Sequence, residues 1–277
     1  MTDRVFTLVL LRTPHDAGRR YVSHTVPVSW SILLLVLGAV VLGAGLQRVS
    51  GMGLGLVAAP TLSLLLGPVA GVTLSNVAAV AAALVLAVVM RRDIDWRRFR
   101  SVAPLLLAGS VAGALVVRTA DTAVLDTVLG ATVLVAIAAA LGLQRHLNAT
   151  GRLPALTSGA LAGFMNTTAG VAGPAMTVYA VASRWGHRSF AATLQPVFLL
   201  ANLASVITKG LAGATPAADV VPWWAWGVAV AAVPVGIGLG TVLARRVSLR
   251  AARSVALTVA TAGGVVALVR GVLGLVS

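Results

Sequence analysis

Gly51-Met52-Gly53-Leu54-Gly55-Leu56-Val57-Ala58-Ala59-Pro60 is a glycine-rich stretch closed by proline and set inside apolar sequence. It recurs in altered form as Thr167-Thr168-Ala169-Gly170-Val171-Ala172-Gly173-Pro174, with the two prolines 114 residues apart. Glycine and proline both interrupt the regular backbone hydrogen bonding of a helix. At membrane depth, unpaired backbone is tolerated only where protein buries it or where it lines a cavity. Matched breaks in the two halves of a chain therefore point to a transport site.

The composition around these breaks is that of a membrane protein. Of 277 residues, 58% are hydrophobic and 10% charged, and the mean hydropathy is +0.98, far from a soluble domain. The apolar runs approach the length that lets a helix cross about 30 Å of hydrocarbon. The short alternating strands of a barrel are missing from the sequence. The formal charge of +14 comes from 21 Lys and Arg set mostly in short loops, which marks topology and excludes a nucleic-acid partner. There is no cysteine, which excludes thiolate chemistry, and His15, His24, His146 and His187 all fall outside the apolar runs, so neither a metal nor a cofactor is expected. Residues 1–29 read as a polar tail, too interrupted to span and without a clear signal-peptide pattern.

Ten apolar segments follow the tail, five in a first repeat at 30–143 and five in a second at 153–277, divided by a basic linker at 144–152. Thr73-Leu74-Ser75-Asn76-Val77 aligns with Thr193-Leu194-Gln195-Pro196-Val197 at an offset of 120, so the proline-anchored alignment needs a six-residue insertion between them. The expected fold is an all-α polytopic membrane protein of two homologous, inverted repeats, each with a Gly/Pro-broken helix. It has eight full spans plus the broken or half-helices. Two topologies tie on positive charge: a five-plus-five reading and an eight-crossing reading each set 13 basic residues against 7, with Lys209 among the seven and Arg48 in the membrane region. The five-plus-five reading is adopted because an odd number of crossings inverts the repeats. All six tryptophans lie at span ends or in loops, as interfacial anchors do.

The glycine break closed by proline in each half, the Thr-Leu-Ser helix start after the first, and the basic loop Arg91-Arg92-Asp93-Ile94-Asp95-Trp96-Arg97 together resemble the TauE/SafE family. The resemblance covers residues from about 30 to 275. It implies an integral membrane protein exporting sulfite, sulfoacetate or related sulfur-containing anions. The usual family motif is a denser GxGGG followed by proline. Here the first copy keeps Gly51, Gly53 and Gly55, and the second keeps Gly170 and Gly173.

The residues support an anion site on their own chemistry. A helix that starts at a break exposes unpaired backbone N–H groups and about half a positive charge, and glycine lets an anion approach them. Pro60 and Pro174 remove further donors and extend the breaks. The competing explanation is that small residues permit tight helix packing. Arg48, three residues before Gly51, either clamps two oxygens of an oxyanion within the bilayer or reaches the interface from a complete first span. Polar candidates nearby are Ser63, Thr73, Ser75, Asn76, Asn166, Thr167, Thr168, Thr177, Tyr179, Thr193, Gln195 and Asn202. Asn166, Thr167 and Thr168 rank first because they precede Gly170, with Gln195 and Asn76 next. The expected substrate-binding set is Arg48, Gly51, Gly53, Gly55, Pro60, Ser75, Asn76, Asn166, Thr167, Thr168, Gly170, Gly173, Pro174 and Gln195.

None of the seven aspartates, Asp126 included, sits at the centre of an apolar run, so the sequence offers no coupling carboxylate. No enzyme motif is present either. The expected function is plasma-membrane, multi-pass transport of a small anion, sulfite or an organosulfonate. The alternatives are a non-transporting membrane scaffold or a carrier of another small solute. Partners reduce to the anion, the bilayer and, at most, further copies of the same chain.

Overall fold

A computed structural model describes residues 30–142, 151–217 and 220–276, so the polar tail and most of the basic linker lie outside the described residues. The described chain forms α1 (Trp30–Ser50), α2 (Leu54–Leu66), α3 (Pro68–Val89), a 3-10 turn at Arg91–Asp93, α4 (Trp96–Thr119) and α5 (Thr122–Gly142). The second half supplies α6 (Arg152–Ala169), α7 (Gly173–Ala182), α8 (His187–Ala212), α9 (Trp223–Leu243) and α10 (Leu249–Val276). No strand occurs among the described residues. Six of these helices, α1, α3, α4, α8, α9 and α10, are long and apolar enough to cross a bilayer. Exposed Leu34, Val88, Val111, Ile207, Leu239 and Leu273 give them the greasy outer face that lipid requires.

Each break follows from a left-handed glycine. α1 ends where Gly51 takes φ 79° and donates its N–H to the Gln47 carbonyl, and α6 ends where Gly170 takes φ 72° and donates to the Asn166 carbonyl. A side chain at either position would be strained, whereas glycine adopts this cap at no steric cost. After Gly51 the chain doubles back, so Leu54 sits beside Gly43 and Gln47 instead of continuing beyond Ser50. The first break is therefore a hairpin at the end of a full-length α1, with α2 running back along it.

The two prolines do not hold equivalent places. Pro60 is inside α2 and packs against Gly263 of α10, while Pro174 occupies the first turn of α7, where a missing N–H costs nothing. Helix starts follow a different spacing from the prolines. α2 and α7 begin at Leu54 and Gly173, 119 residues apart, and α3 and α8 begin at Pro68 and His187, again 119 apart. One offset thus serves both helix pairs, and the six-residue insertion is not needed.

Small residues bring the helices into backbone contact. α4 runs parallel to α6, with Gly159 against Val102 and Gly163 against Leu106. α1 runs parallel to α9 through Gly45, Gly236 and Gly240. α5 and α10 are antiparallel, Gly130 meeting Leu268 and Gly271 meeting Thr127. α3 and α8 are antiparallel too, Asn76 reaching Ser205 and Thr73 reaching Lys209. Buried apolar side chains form one cluster around α1, α2, α3 and α9, a second around α4, α6, α7 and α8, and a third joining α2, α5 and α10 at the two breaks.

The basic loop also has a structural task. Asp95 caps α4 through the Arg98 N–H, Arg98 lies 4.5 Å over the Trp185 ring, and Arg188 pairs with Asp93 at 3.0 Å. These contacts fasten the α3–α4 loop to the turn between α7 and α8.

Candidate functional site

The helix ends created by Gly51 and Gly170 meet. Gly55 of α2 abuts the Gly170 carbonyl, and Met52 packs against Gly173. Between them lies a cavity of about 20 Å³ lined by Gln47, Met52, Gly53, Gly55, Leu56, Ala79, Asn166, Gly170–Gly173, Phe198 and Asn202. That is room for roughly one water. Both helix N-termini face it: Gly55 and Leu56 belong to the first turn of α2, and Gly173 opens α7. First-turn N–H groups have no acceptor within their own helix, and together they present partial positive charge.

Amide side chains surround these ends at matched places. Gln47 and Asn166 each stand four residues before the left-handed glycine, and Asn76 and Gln195 stand beside the breaks on α3 and α8; each equivalent pair is 119 residues apart. Gln47 donates to Gln195 at 3.1 Å and accepts from the Leu54 N–H at 3.3 Å, which satisfies one first-turn donor of α2. Gln195 donates in turn to the carbonyls of Gly51 at 3.3 Å and Ala191 at 3.0 Å. Asn166 donates to Asn202 at 3.1 Å, and Asn76 donates to Ser205 at 2.6 Å. All four of the matched amides are buried.

Of the residues expected from sequence, Gly53, Gly55, Asn166, Gly170 and Gly173 line this cavity. Gly51 and Gln195 are joined just behind it, and Asn76 Oδ1 points towards Gly170. Thr168 returns its hydroxyl to the Phe164 carbonyl, whereas the Thr167 and Ser75 hydroxyls are buried without a hydrogen-bond partner among the described residues. Pro174 borders a small neighbouring pocket with Ser50, Met52, Thr177 and Arg253, and Pro60 faces α10. Arg48 is turned out of the site: its guanidinium donates to Thr241 of α9 at 3.1 Å.

Beyond Met52 the space widens into a vestibule of about 290 Å³ bordered by α7, α8 and α10, with Trp185, His187, Arg250 and Arg253 on its walls. Met52 lines the cavity, the small pocket and the vestibule alike, and its sulfur accepts a contact from Thr177 at 3.2 Å. It is the side chain that separates the inner cavity from the open side.

Four residues matter here that sequence reading passed over. Gln47 lies just past the end of the first apolar run, and its spacing to Gly51, repeated in Asn166 and Gly170, was the available signal. Met52 looked like one more apolar residue. Asp126 and Lys209 are buried, although Asp126 lies away from the centre of its apolar run and Lys209 lies just past the end of its own. Asp126 of α5 accepts two hydrogen bonds from Arg270 of α10, at 2.7 and 2.8 Å, and Arg270 also donates to the Ser63 and Leu64 carbonyls near the end of α2. Among the described residues no group of His, Asp and Glu converges as metal ligands would.

The chain belongs to the sulfite exporter TauE/SafE family, whose model matches residues 24–267. Neither a curated protein nor a solved structure matches it. Family membership makes the chain a membrane transport protein, in a family of transporters of sulfite and related anions.

Proposed function

We propose that this chain carries sulfite or a small organosulfonate across the plasma membrane through the cavity between the two breaks. The observation that carries the reading is the convergence of the α2 and α7 N-termini, with glycine at the closest approaches and amides around them. Backbone N–H groups at helix ends bind oxyanions without any fixed charge in the site, and glycine removes the Cβ that would hold the anion off. The proposed binding set is Gly51, Gly53, Gly55, Asn76, Asn166, Gly170, Gly173 and Gln195, joined by Gln47. Pro60, Ser75, Thr167, Thr168 and Pro174 shape the surroundings. Arg48 anchors α1 to α9, and Arg250 and Arg253 replace it as the cations an incoming anion meets.

The architecture proposed is a pair of inverted repeats, with α1, α3, α4, α5, α6, α8, α9 and α10 as eight full spans and α2 and α7 as half-helices. Reciprocal packing supports it: α1 with α9 and α6 with α4 are equivalent pairs with the halves exchanged, and both are parallel. α3 with α8 and α5 with α10 are self-equivalent, and both are antiparallel. That pattern follows if the second half runs opposite to the first. The hairpin at Gly51 favours the five-plus-five topology. The loops holding Arg91–Arg100, Arg184–Arg188 and Arg245–Arg253 then share one face, taken as cytoplasmic. A three-oxygen anion is larger than the inner cavity, so passage requires Met52 to move and the two sides to open in turn.

The test is uptake of labelled sulfite, sulfoacetate and taurine by proteoliposomes holding the full chain. Uptake of sulfite or sulfoacetate that responds to membrane potential with the sign of an anion is the expected result. Tight vesicles that carry none of the three overturn the reading.

A further inference from the structure

Below the breaks, the buried face of α8 carries a line of polar side chains that apolar packing does not explain. Gln195, Asn202, Ser205 and Lys209 are all buried, and each meets a polar partner on another helix: Gln47, Asn166, Asn76 and Thr73 respectively. Their spacing of seven, three and four residues keeps them on one helical face. At 1.5 Å per residue the line runs about 21 Å. It leaves the central cavity at Asn202 and ends at Lys209, on the side away from the vestibule.

Lys209 is the unexplained member. It lies in the last turn of α8, where a lysine ordinarily threads its amine out to the interface, yet it is 1% exposed. Its Nζ donates to Thr73 Oγ1 at 3.2 Å, and among the described residues no carboxylate pairs with it. A buried cation is normally paired, because leaving it alone in a medium of low dielectric is costly. Among the described residues, the Ser75, Ser110 and Thr167 hydroxyls and Asn76 Oδ1 are buried with no hydrogen-bond partner. They come from α3, α4 and α6, the helices packed against α8. A native interior leaves few such groups, and the unused hydroxyl donors among them, on helices packed against the one that carries the Lys209 amine, are groups that an oxyanion would satisfy.

We infer that Lys209 and Thr73, with Asn76 and Ser205, form a second oxyanion subsite that the transported anion occupies when the pathway opens away from the vestibule. The inference rests on the carrier reading above and extends it: the anion passes from backbone donors at the breaks to a fixed amine one stage further on. The ligand class is a small oxyanion that accepts several hydrogen bonds, with sulfite as the probe.

The experiment compares the wild-type chain with Lys209→Met, Lys209→Arg and Thr73→Val, by sulfite flux in proteoliposomes and by thermal unfolding of purified protein with and without sulfite. Lys209→Met removes a buried charge and keeps much of the volume, so it is expected to fold at least as stably as wild type when sulfite is absent. It is expected to lose the sulfite-dependent rise in unfolding temperature and to lower sulfite flux about tenfold or more, as losing a charge-assisted hydrogen bond would. Lys209→Arg should keep part of both, and Thr73→Val should weaken both.

A Lys209→Met protein with unchanged flux and undiminished stabilisation by sulfite overturns the inference and leaves the carrier function standing. Loss of stability in sulfite-free buffer, with flux per folded molecule intact, assigns Lys209 a structural task and overturns it as well. Wild-type protein that neither carries sulfite nor is stabilised by it overturns the carrier reading itself.

Discussion

At the first break Gln47 and Gln195 hydrogen-bond to each other, Gln47 takes the first N–H of α2, and Gln195 takes up the Gly51 carbonyl. At the second, the equivalent amides Asn166 and Asn76 do not meet: Asn166 turns to Asn202, Asn76 to Ser205, and Asn76 Oδ1 and Thr167 Oγ1 keep no partner among the described residues. Shorter side chains explain part of the difference, since asparagine lacks the methylene that lets the two glutamines reach across. One break is therefore internally satisfied and the other retains unused hydrogen-bonding capacity. An unsatisfied buried polar group costs about 1–3 kcal/mol, and such a cost is sustained where a ligand or a second conformation uses the group. The anchoring differs as well. α2 has Arg270 donating to its last carbonyls, whereas α7 is held near its end by Tyr179 and Trp185 in an edge-to-face contact at 6.0 Å.

The largest test of this comparison exchanges the two left-handed glycines for alanine. Gly170→Ala incurs about 1–2 kcal/mol for its φ, and its new Cβ also runs into Ala59, adding about 1–3 kcal/mol of overpacking. Gly51→Ala carries the φ cost, with its Cβ 3.1 Å from the Ala191 methyl. Thermal unfolding should show the greater loss for Gly170→Ala, with sulfite flux near background. The reverse order would break the comparison.

Next comes Asp126→Asn, which unpairs Arg270 and loosens its hold on α2. The arginine is 40% exposed and the aspartate 3% exposed. The expected loss is about 1–3 kcal/mol, below that of a fully buried pair. The unfolding midpoint should fall while the sulfite KM of the remaining folded protein stays put. A change in KM without loss of stability would move this pair from anchoring α2 into the transport path.

The smallest effect on stability, and the sharpest on function, contrasts Asn76→Ala with Gln195→Ala. Gln195→Ala strands Gln47 and should cost about 1–2 kcal/mol of stability. Asn76→Ala strands only the Ser205 hydroxyl and removes an oxygen that has no partner among the described residues, so it should lower the unfolding midpoint less than Gln195→Ala while raising the sulfite KM about tenfold. Equal effects on both measurements would erase the distinction between the breaks.

Much of this was legible in the sequence. Gly51 and Gly170 announced their breaks because a glycine inside an apolar run acts on the backbone locally, whatever surrounds it. Asn166, Asn76 and Gln195 stood out as amides that hydrocarbon does not solvate. The proline spacing misled, since Pro60 and Pro174 are similar in sequence but occupy the middle of one helix and the first turn of another. Hydropathy ended the eighth apolar segment at Thr208, yet α8 continues to Ala212 and carries Lys209 inward.

By itself the sequence determined an all-helical membrane chain with two breaks, because composition sets the solvent and glycine sets the local backbone. Only the tertiary structure decided which side chains share the site. It turned Arg48 out to Thr241 and Gln47, its neighbour, in to Gln195. Successive residues on a helix point about 100° apart, and the rotation of each helix about its axis is fixed by the glycine contacts it makes with its neighbours, which one strand of sequence does not display.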